Sequence, residues 1–190
     1  MNFLQEFDNP ENVRFDMFKK VFDLCLNRNH KIIVETGTSR GKIKFFFFKK
    51  YNWKDGMSPI MFANFAKFIN GHLHTCDISK KNINNSKKFT KNYSKFISYY
   101  VDDSILFLNK FNEIIDLLYL DSFDSHNPIM ASEHQLNEAK IAINKIHDNS
   151  LILLDDKGSK TNSSIDFLIK KGLKIIYETK YQVLLSKNAN

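Results

Sequence analysis

Lys31-Ile32-Ile33-Val34-Glu35 runs directly into Thr36-Gly37-Thr38-Ser39-Arg40-Gly41. A short, continuously apolar, β-branched run that ends on an acid and a glycine-containing turn reads as a parallel strand buried on both faces. Similar runs recur at His72–Asp77, Phe96–Val101, Ile114–Asp121 and Ser150–Asp155, each closing on polar or acidic residues. Helical patterns lie around and between them. Residues 10–26 carry Val13, Met17, Phe18, Val21, Phe22 and Cys25 at three- and four-residue spacing, with Asn9 as cap and Pro10 in the first turn. Ser58-Pro59 starts a second helix and Asn127-Pro128 another, and the more polar segment 79–94 is also assigned as helix. Alternating strands and helices predict a parallel sheet covered on both faces, with right-handed crossovers. Leu173–Glu178 and Tyr181–Ser186 are joined by Thr179-Lys180 alone, too short for a crossover, so they must pair antiparallel. The expectation is an α/β, Rossmann-like, seven-stranded and mostly parallel sheet with a C-terminal antiparallel hairpin. With no repeat or linker, residues 1–190 form one domain, an N-terminal helical part over 1–29 and a core over 30–186.

Composition narrows the function classes. The 190 residues carry 28 Lys plus Arg against 21 Asp plus Glu, a formal charge of +7, and are 43% hydrophobic and 26% charged. This is a globular composition, which excludes wholesale disorder and collagen-like or coiled-coil repeats. Only Cys25 and Cys76 are available to pair, so no disulfide framework is expected and a reducing, cytoplasmic setting is the simpler reading. No stretch has the ~20 apolar residues of a membrane span, and the first residues lack the pattern of a secretory signal. The lysines are dispersed in pairs, as on solvated faces, so the positive charge is a weak pointer to a polyanionic partner.

In an open parallel sheet, ligands bind beyond the carboxyl ends of the strands, near the point where strand order reverses. Those ends supply Glu35, Asp77, Asp102-Asp103, Asp121 and Asp155-Asp156, a concentration of acids within a basic chain. Each acid taken singly is also an ordinary turn residue or helix cap. The Gly37–Gly41 spacing does not match the G-x-G-x-x-G dinucleotide fingerprint. An acid at Asp77 suits the two hydroxyls of a ribose, and Asp102-Asp103-Ser104 offers polar groups for an adenine.

On these residues, over about 30–186, the chain resembles the class I S-adenosylmethionine-dependent methyltransferases. Glu35 to Gly41 looks like their first motif, and in that fold the seventh strand inserts beside the fifth. The resemblance implies S-adenosyl-L-methionine as cofactor, held by Glu35, Gly37, Thr38, Gly41, Gly56, Ser58, Asp77, Asp102, Asp103 and Ser104. Residues 40–55, with Phe45–Phe48 and Trp53, then read as an insertion in the cofactor loop, either a lid or ordinary packing against the sheet.

A narrower resemblance joins Leu120-Asp121-Ser122-Phe123-Asp124-Ser125-His126 and Leu153-Leu154-Asp155-Asp156 to the metal-dependent O-methyltransferases, including catechol O-methyltransferase and the cephalosporin and macrolide-sugar methylating enzymes. It implies that Asp121, Asp155 and Asp156 hold Mg2+ (or Mn2+) and that the acceptor is a small-molecule or sugar hydroxyl. The catalytic lysine of catechol O-methyltransferase falls at Asp124, so the general base is missing from its usual place. Asp121 and His126 are the candidate catalytic residues. Two alternatives stay open: a SAM-binding regulatory protein without transferase activity, and a nucleic-acid methyltransferase. The charge, with Trp53 and Phe45–Phe48 as candidate stacking residues, favours the last; the absence of an Asn-Pro-Pro-Tyr-type motif after strand four opposes it.

Overall fold

The computed structural model describes residues 2–39, 41–45, 48–53, 57–123 and 126–188. Nine strands occur among them: β1 (Ile32–Thr36), β2 (Lys42–Phe45), β3 (Phe48–Tyr51), β4 (His72–Asp77), β5 (Ile97–Val101), β6 (Ile115–Leu120), β7 (Ile146–Asp155), β8 (Lys174–Glu178) and β9 (Gln182–Ser186). The helices are α1 (Phe15–Asn27), α2 (Ser58–Ile69), α3 (Lys80–Phe89), α4 (Ser104–Lys110), α5 (Pro128–Ala142) and α6 (Asn162–Lys170). Short 3-10 helices cover Asn2–Phe7 and Lys91–Phe96.

Seven strands form one sheet in the order β5-β4-β1-β6-β7-β9-β8. β5, β4, β1, β6 and β7 are parallel, whereas β9 runs antiparallel to both β7 and β8. The seven-stranded, mostly parallel Rossmann-like sheet with its terminal hairpin is therefore present, and β9 lies between β7 and β8. The reversal of strand order falls at β1, flanked by β4 and β6.

Period-two alternation divides the strand side chains between two cores. Ile33, Leu117 and Tyr119 join a cluster with Phe18, Phe22, Phe62 and Phe65 from α1 and α2. Val34, Leu118 and Leu120 join the opposite cluster, with Phe107, Ala139 and Leu168 from α4, α5 and α6. Both faces of the sheet are thus covered, as a parallel sheet requires.

The local differences have local causes. The helix expected from Pro10 begins at Phe15, because Asn9 Oδ1 accepts the Glu11 N–H at 3.1 Å and Asn12 Nδ2 donates to the Phe7 carbonyl at 3.0 Å, holding 9–14 in turns. The segment expected as one helix over 79–94 divides into α3 and a 3-10 turn, with the Thr90 hydroxyl bonded to the Ser86 carbonyl at 2.7 Å. Within 40–55, β2 and β3 pair as an antiparallel hairpin. Phe46, Phe47, Gly56 and the lysine position Asp124 lie outside the described residues. No helix among the described residues is long and apolar enough to cross a membrane, and Cys25 and Cys76 are both buried free thiols.

Candidate active site at the strand carboxyl ends

The carboxyl ends of β1, β4, β5 and β6 surround a partly open cleft of about 160 Å3. It is lined by Gly37 after β1, Cys76, Asp77 and Ile78 at the end of β4, Asp103 and Ser104 at the start of α4, Ser122 and Phe123 after β6, and His134 of α5. Its position at the strand-order reversal is where a doubly wound sheet binds ligands. Gly37 is required here by geometry. It has φ +81°, and a Cβ on it would stand 2.2 Å from the Asp121 carbonyl oxygen. Its N–H donates to the Cys76 carbonyl at 2.8 Å, and the Asp121 N–H donates to the Thr36 carbonyl at 2.9 Å, so three strand ends meet at one glycine.

The Glu35 side chain is 0% exposed on the α2 side of the sheet, where Oε2 accepts from Thr75 Oγ1 at 2.5 Å. Burial pushes its carboxyl up to about 8, against the pull of hydrogen bonding to Ser58 and Thr75. Oε1 has no hydrogen-bond partner among the described residues; the same holds for the hydroxyls of Thr36, Thr38 and Ser122, all close to the end of β1 or β6. Buried polar atoms normally find partners. Of these residues, Ser122 lines the cleft, whereas Glu35, Thr36 and Thr38 lie behind its wall.

The Glu35 shift has a consequence for stability. In the unfolded chain the carboxyl ionises near 4.5, in the folded chain near about 8. Between these values the native state holds a proton that the unfolded state has released, so this residue makes stability fall as pH rises from about 4.5 to about 8. His30 and His74, both pushed down to about 4 mainly by burial, act in the opposite sense, weakening the fold as pH drops below about 6.5. The difference between wild type and Glu35→Gln in urea unfolding isolates the carboxyl. The variant is expected to gain on wild type steadily from pH 5 to pH 8, and a constant difference would show that Glu35 titrates normally.

Asp77 organises the loops on one wall. Oδ2 accepts the Thr38 N–H at 3.1 Å and Oδ1 the Ser79 N–H at 2.7 Å, and Asn82 Nδ2 approaches the two oxygens at 3.3 and 3.2 Å. Asp103 lines the cleft as the N-cap of α4, accepting from the Ile105 and Leu106 N–H groups at 2.9 and 3.2 Å. Asp102 faces Lys110 at 2.9 Å, which holds its carboxyl below the usual range. Ser104 Oγ lies 2.8 Å from His134 Nε2. Gly41 packs on the Phe89 ring, where an added Cβ would lie 2.0 Å from Cζ. Thr38, Gly41 and Ser58 are buried or packed behind the cleft rather than lining it.

Asp121, Asp155 and Asp156 do converge, with one oxygen of each within 4.8 Å of the others. Their partners are two cations, Arg14 from before α1 and Lys160, four residues after Asp156. Arg14 meets Asp155 in a bidentate pair, Nε to Oδ1 and Nη2 to Oδ2, both at 2.7 Å, and reaches Asp156 at 3.4 Å. Lys160, whose side chain is only 2% exposed, lies 3.1 Å from Asp121 Oδ1, 3.3 Å from Asp156 Oδ2 and 3.0 Å from the Phe123 carbonyl. Burial and the neighbouring Asp155 charge push the Asp121 carboxyl well above the usual range, although 27% of its side-chain surface is open. Burial would lower the Lys160 ammonium, but the three carboxylates together hold it above its ordinary value. An oxygen-only donor set suits Mg2+, yet here its oxygens already face a guanidinium and an ammonium. As arranged, these residues do not fit a bound divalent cation. His126 is exposed in the turn before α5.

Ile78, His134, Arg14 and Lys160 are members of the site that the motifs did not mark. Ile78 alone had a visible signal, following the strand-end acid directly, and it is 76% exposed at the rim of the cleft.

No family model matches the chain, and no curated protein does. Solved structures do. It is similar to an SAH-bound methyltransferase of Podospora anserina, with TM-score 0.62 and 11% identity over 95% of this chain and 83% of that one. An O-methyltransferase from Bacillus cereus in complex with SAH matches with TM-score 0.60 and 15% identity, covering 98% and 87%. An rRNA methylase from Streptococcus thermophilus matches with TM-score 0.61 and 9% identity, covering 88% and 94%. At these identities the likeness is one of fold, and the fold is the Rossmann-like one of methyltransferases.

Proposed function

We propose that this chain is an S-adenosyl-L-methionine-dependent methyltransferase that methylates a hydroxyl of a small molecule. The observation that carries the reading is the cleft at the strand-order reversal, lined by Gly37, Asp77, Asp103 and the partnerless Ser122 hydroxyl. The SAH-bound neighbours of the same fold support the cofactor. Glu35, Gly37 and Thr38 are assigned to its amino-acid end, Asp77 to the ribose, and Asp103, Ser104 and the exposed Ile78 side chain to the adenine. Gly41, Gly56, Ser58 and Asp102 are assigned to supporting that loop set.

Bound S-adenosyl-L-methionine supplies a methyl group activated on a sulfonium. The residues here hold donor and acceptor in line and exclude water, which is where most of the acceleration of such a displacement arises. Ser122 and Phe123, between the cofactor cleft and the acid cluster, orient the acceptor oxygen. His126 is assigned to take its proton, since Asp121 is tied to Lys160 and to the Tyr119 hydroxyl at 3.4 Å. Asp77 and Asp103, the two acids that line the cleft, favour a neutral or cationic small acceptor over a polyphosphate backbone. The oxygens of the acid triad are taken up by Arg14 and Lys160 in place of a metal.

Calorimetric titration with S-adenosyl-L-methionine and with SAH tests the reading. Asp77→Ala is expected to weaken either ligand by about 1.5–3 kcal/mol through lost charge-assisted hydrogen bonds and a loosened Thr38 loop. Unchanged affinity in that variant removes Asp77 from the ribose, and no binding by wild type removes the function.

A further inference from the structure

We propose that Arg14 and Lys160 are built-in counter-ions that take the place of a divalent cation within the Asp121–Asp155–Asp156 cluster. Three carboxylates brought within 4.8 Å repel one another and need positive charge nearby. A metal is one source of that charge; this chain supplies two others. The Arg14 guanidinium matches Asp155 fork to fork, the planar geometry that makes such pairs strong. Lys160 lies between Asp121 and Asp156 at 3.1 and 3.3 Å and bonds the Phe123 carbonyl, so one ammonium touches the ends of both β6 and β7. Its near-complete burial leaves it no solvent alternative. The consequence is positional: Lys160 fixes the loop that carries Ser122 and Phe123, a clasp between two cleft loops that elsewhere a metal can provide. Lys160 is a positioning residue and does not touch the acceptor.

The experiment is a Mn2+ titration of the full chain without cofactor, read by the free-ion electron paramagnetic resonance signal. Because no methyl donor is present, its outcome is independent of the methyltransferase reading. Wild type is expected to show no saturable site tighter than about 1 mM, the weak end of protein oxygen sites. Lys160→Met keeps the length of the side chain and removes the charge; it is expected to bind one Mn2+ at least about tenfold tighter than wild type, and Mn2+ should raise its melting temperature but not that of wild type. Saturable one-to-one binding by wild type that Asp156→Asn abolishes would overturn the proposal. So would a folded Lys160→Met that gains no affinity. If that variant does not fold, the wild-type titration decides alone.

Discussion

Arg14→Ala is expected to lose about 3–5 kcal/mol of folding stability, the range found when one partner of a buried ion pair is removed. The carboxylate left behind, Asp155, has a side chain only 1% exposed, and its two bonds from Arg14 are both 2.7 Å long. Arg14 is itself held above its ordinary ionisation range by Asp155, despite the cost of burial. Urea unfolding at pH 7 measures the loss, and Arg14→Ala combined with Asp155→Asn is expected to recover part of it, because the stranded charge is then gone. A loss below about 1 kcal/mol, the scale of an exposed pair, would mean that water reaches Asp155 and that the pair is not buried in solution.

Gly37→Ala carries the second large effect. The substitution asks an L-residue to adopt φ +81° and places its Cβ 2.2 Å from the Asp121 oxygen, 2.6 Å from the Asp121 carbonyl carbon and 2.8 Å from Ser122 Cα. All three are backbone atoms of the neighbouring strand end, which cannot turn aside as a side chain does. The expected cost is about 2–4 kcal/mol, together with at least about tenfold weaker SAH binding, since a misplaced cleft residue costs the ligand its geometry. Gly158 is the internal control: its φ is +85°, but an added Cβ meets nothing within 4 Å. Gly158→Ala is expected to lose only the backbone penalty, about 1–2 kcal/mol. Equal losses at the two sites would remove the close approach of β1 and β6 from the account.

The parallel strands were legible because burial on both faces forces runs such as Ile32-Ile33-Val34, which no surface segment tolerates. The hairpin was legible from Thr179-Lys180, because a two-residue link has one topological solution. The short helices α4 and α6 escaped notice, being only 7 and 9 residues long, too short for a helical period to stand out. At Asp103 the sequence allowed both a cap and a cleft residue, and the structure has it as both. The acids of the site were visible one by one as strand-end residues. Their counter-charges were not, since Arg14 reaches Asp155 across 141 positions and Lys160, though only four positions after Asp156, reaches Asp121 across 39. An ion pair at such separation leaves no periodicity or motif, and in a chain with 28 basic residues neither cation stands out by type.

The placement of β9 between β7 and β8 bears on how the chain is made. During vectorial synthesis β7 emerges with one long edge bare, and that edge, Ile152-Leu153-Leu154, is fully apolar in its side chains. β8 follows but has nowhere to dock, because its neighbour in the sheet is β9 alone. The sheet therefore stays open until residues 182–186 have left the ribosome, and every nascent chain passes through a stage with an unpaired hydrophobic edge, the type of surface that chaperones capture and that aggregates when they do not. Any chain in which residues 182–186 are unpaired, newly made or partly unfolded, presents that edge, so the docking of β9 decides whether the hydrophobic strand is sealed or left to aggregate.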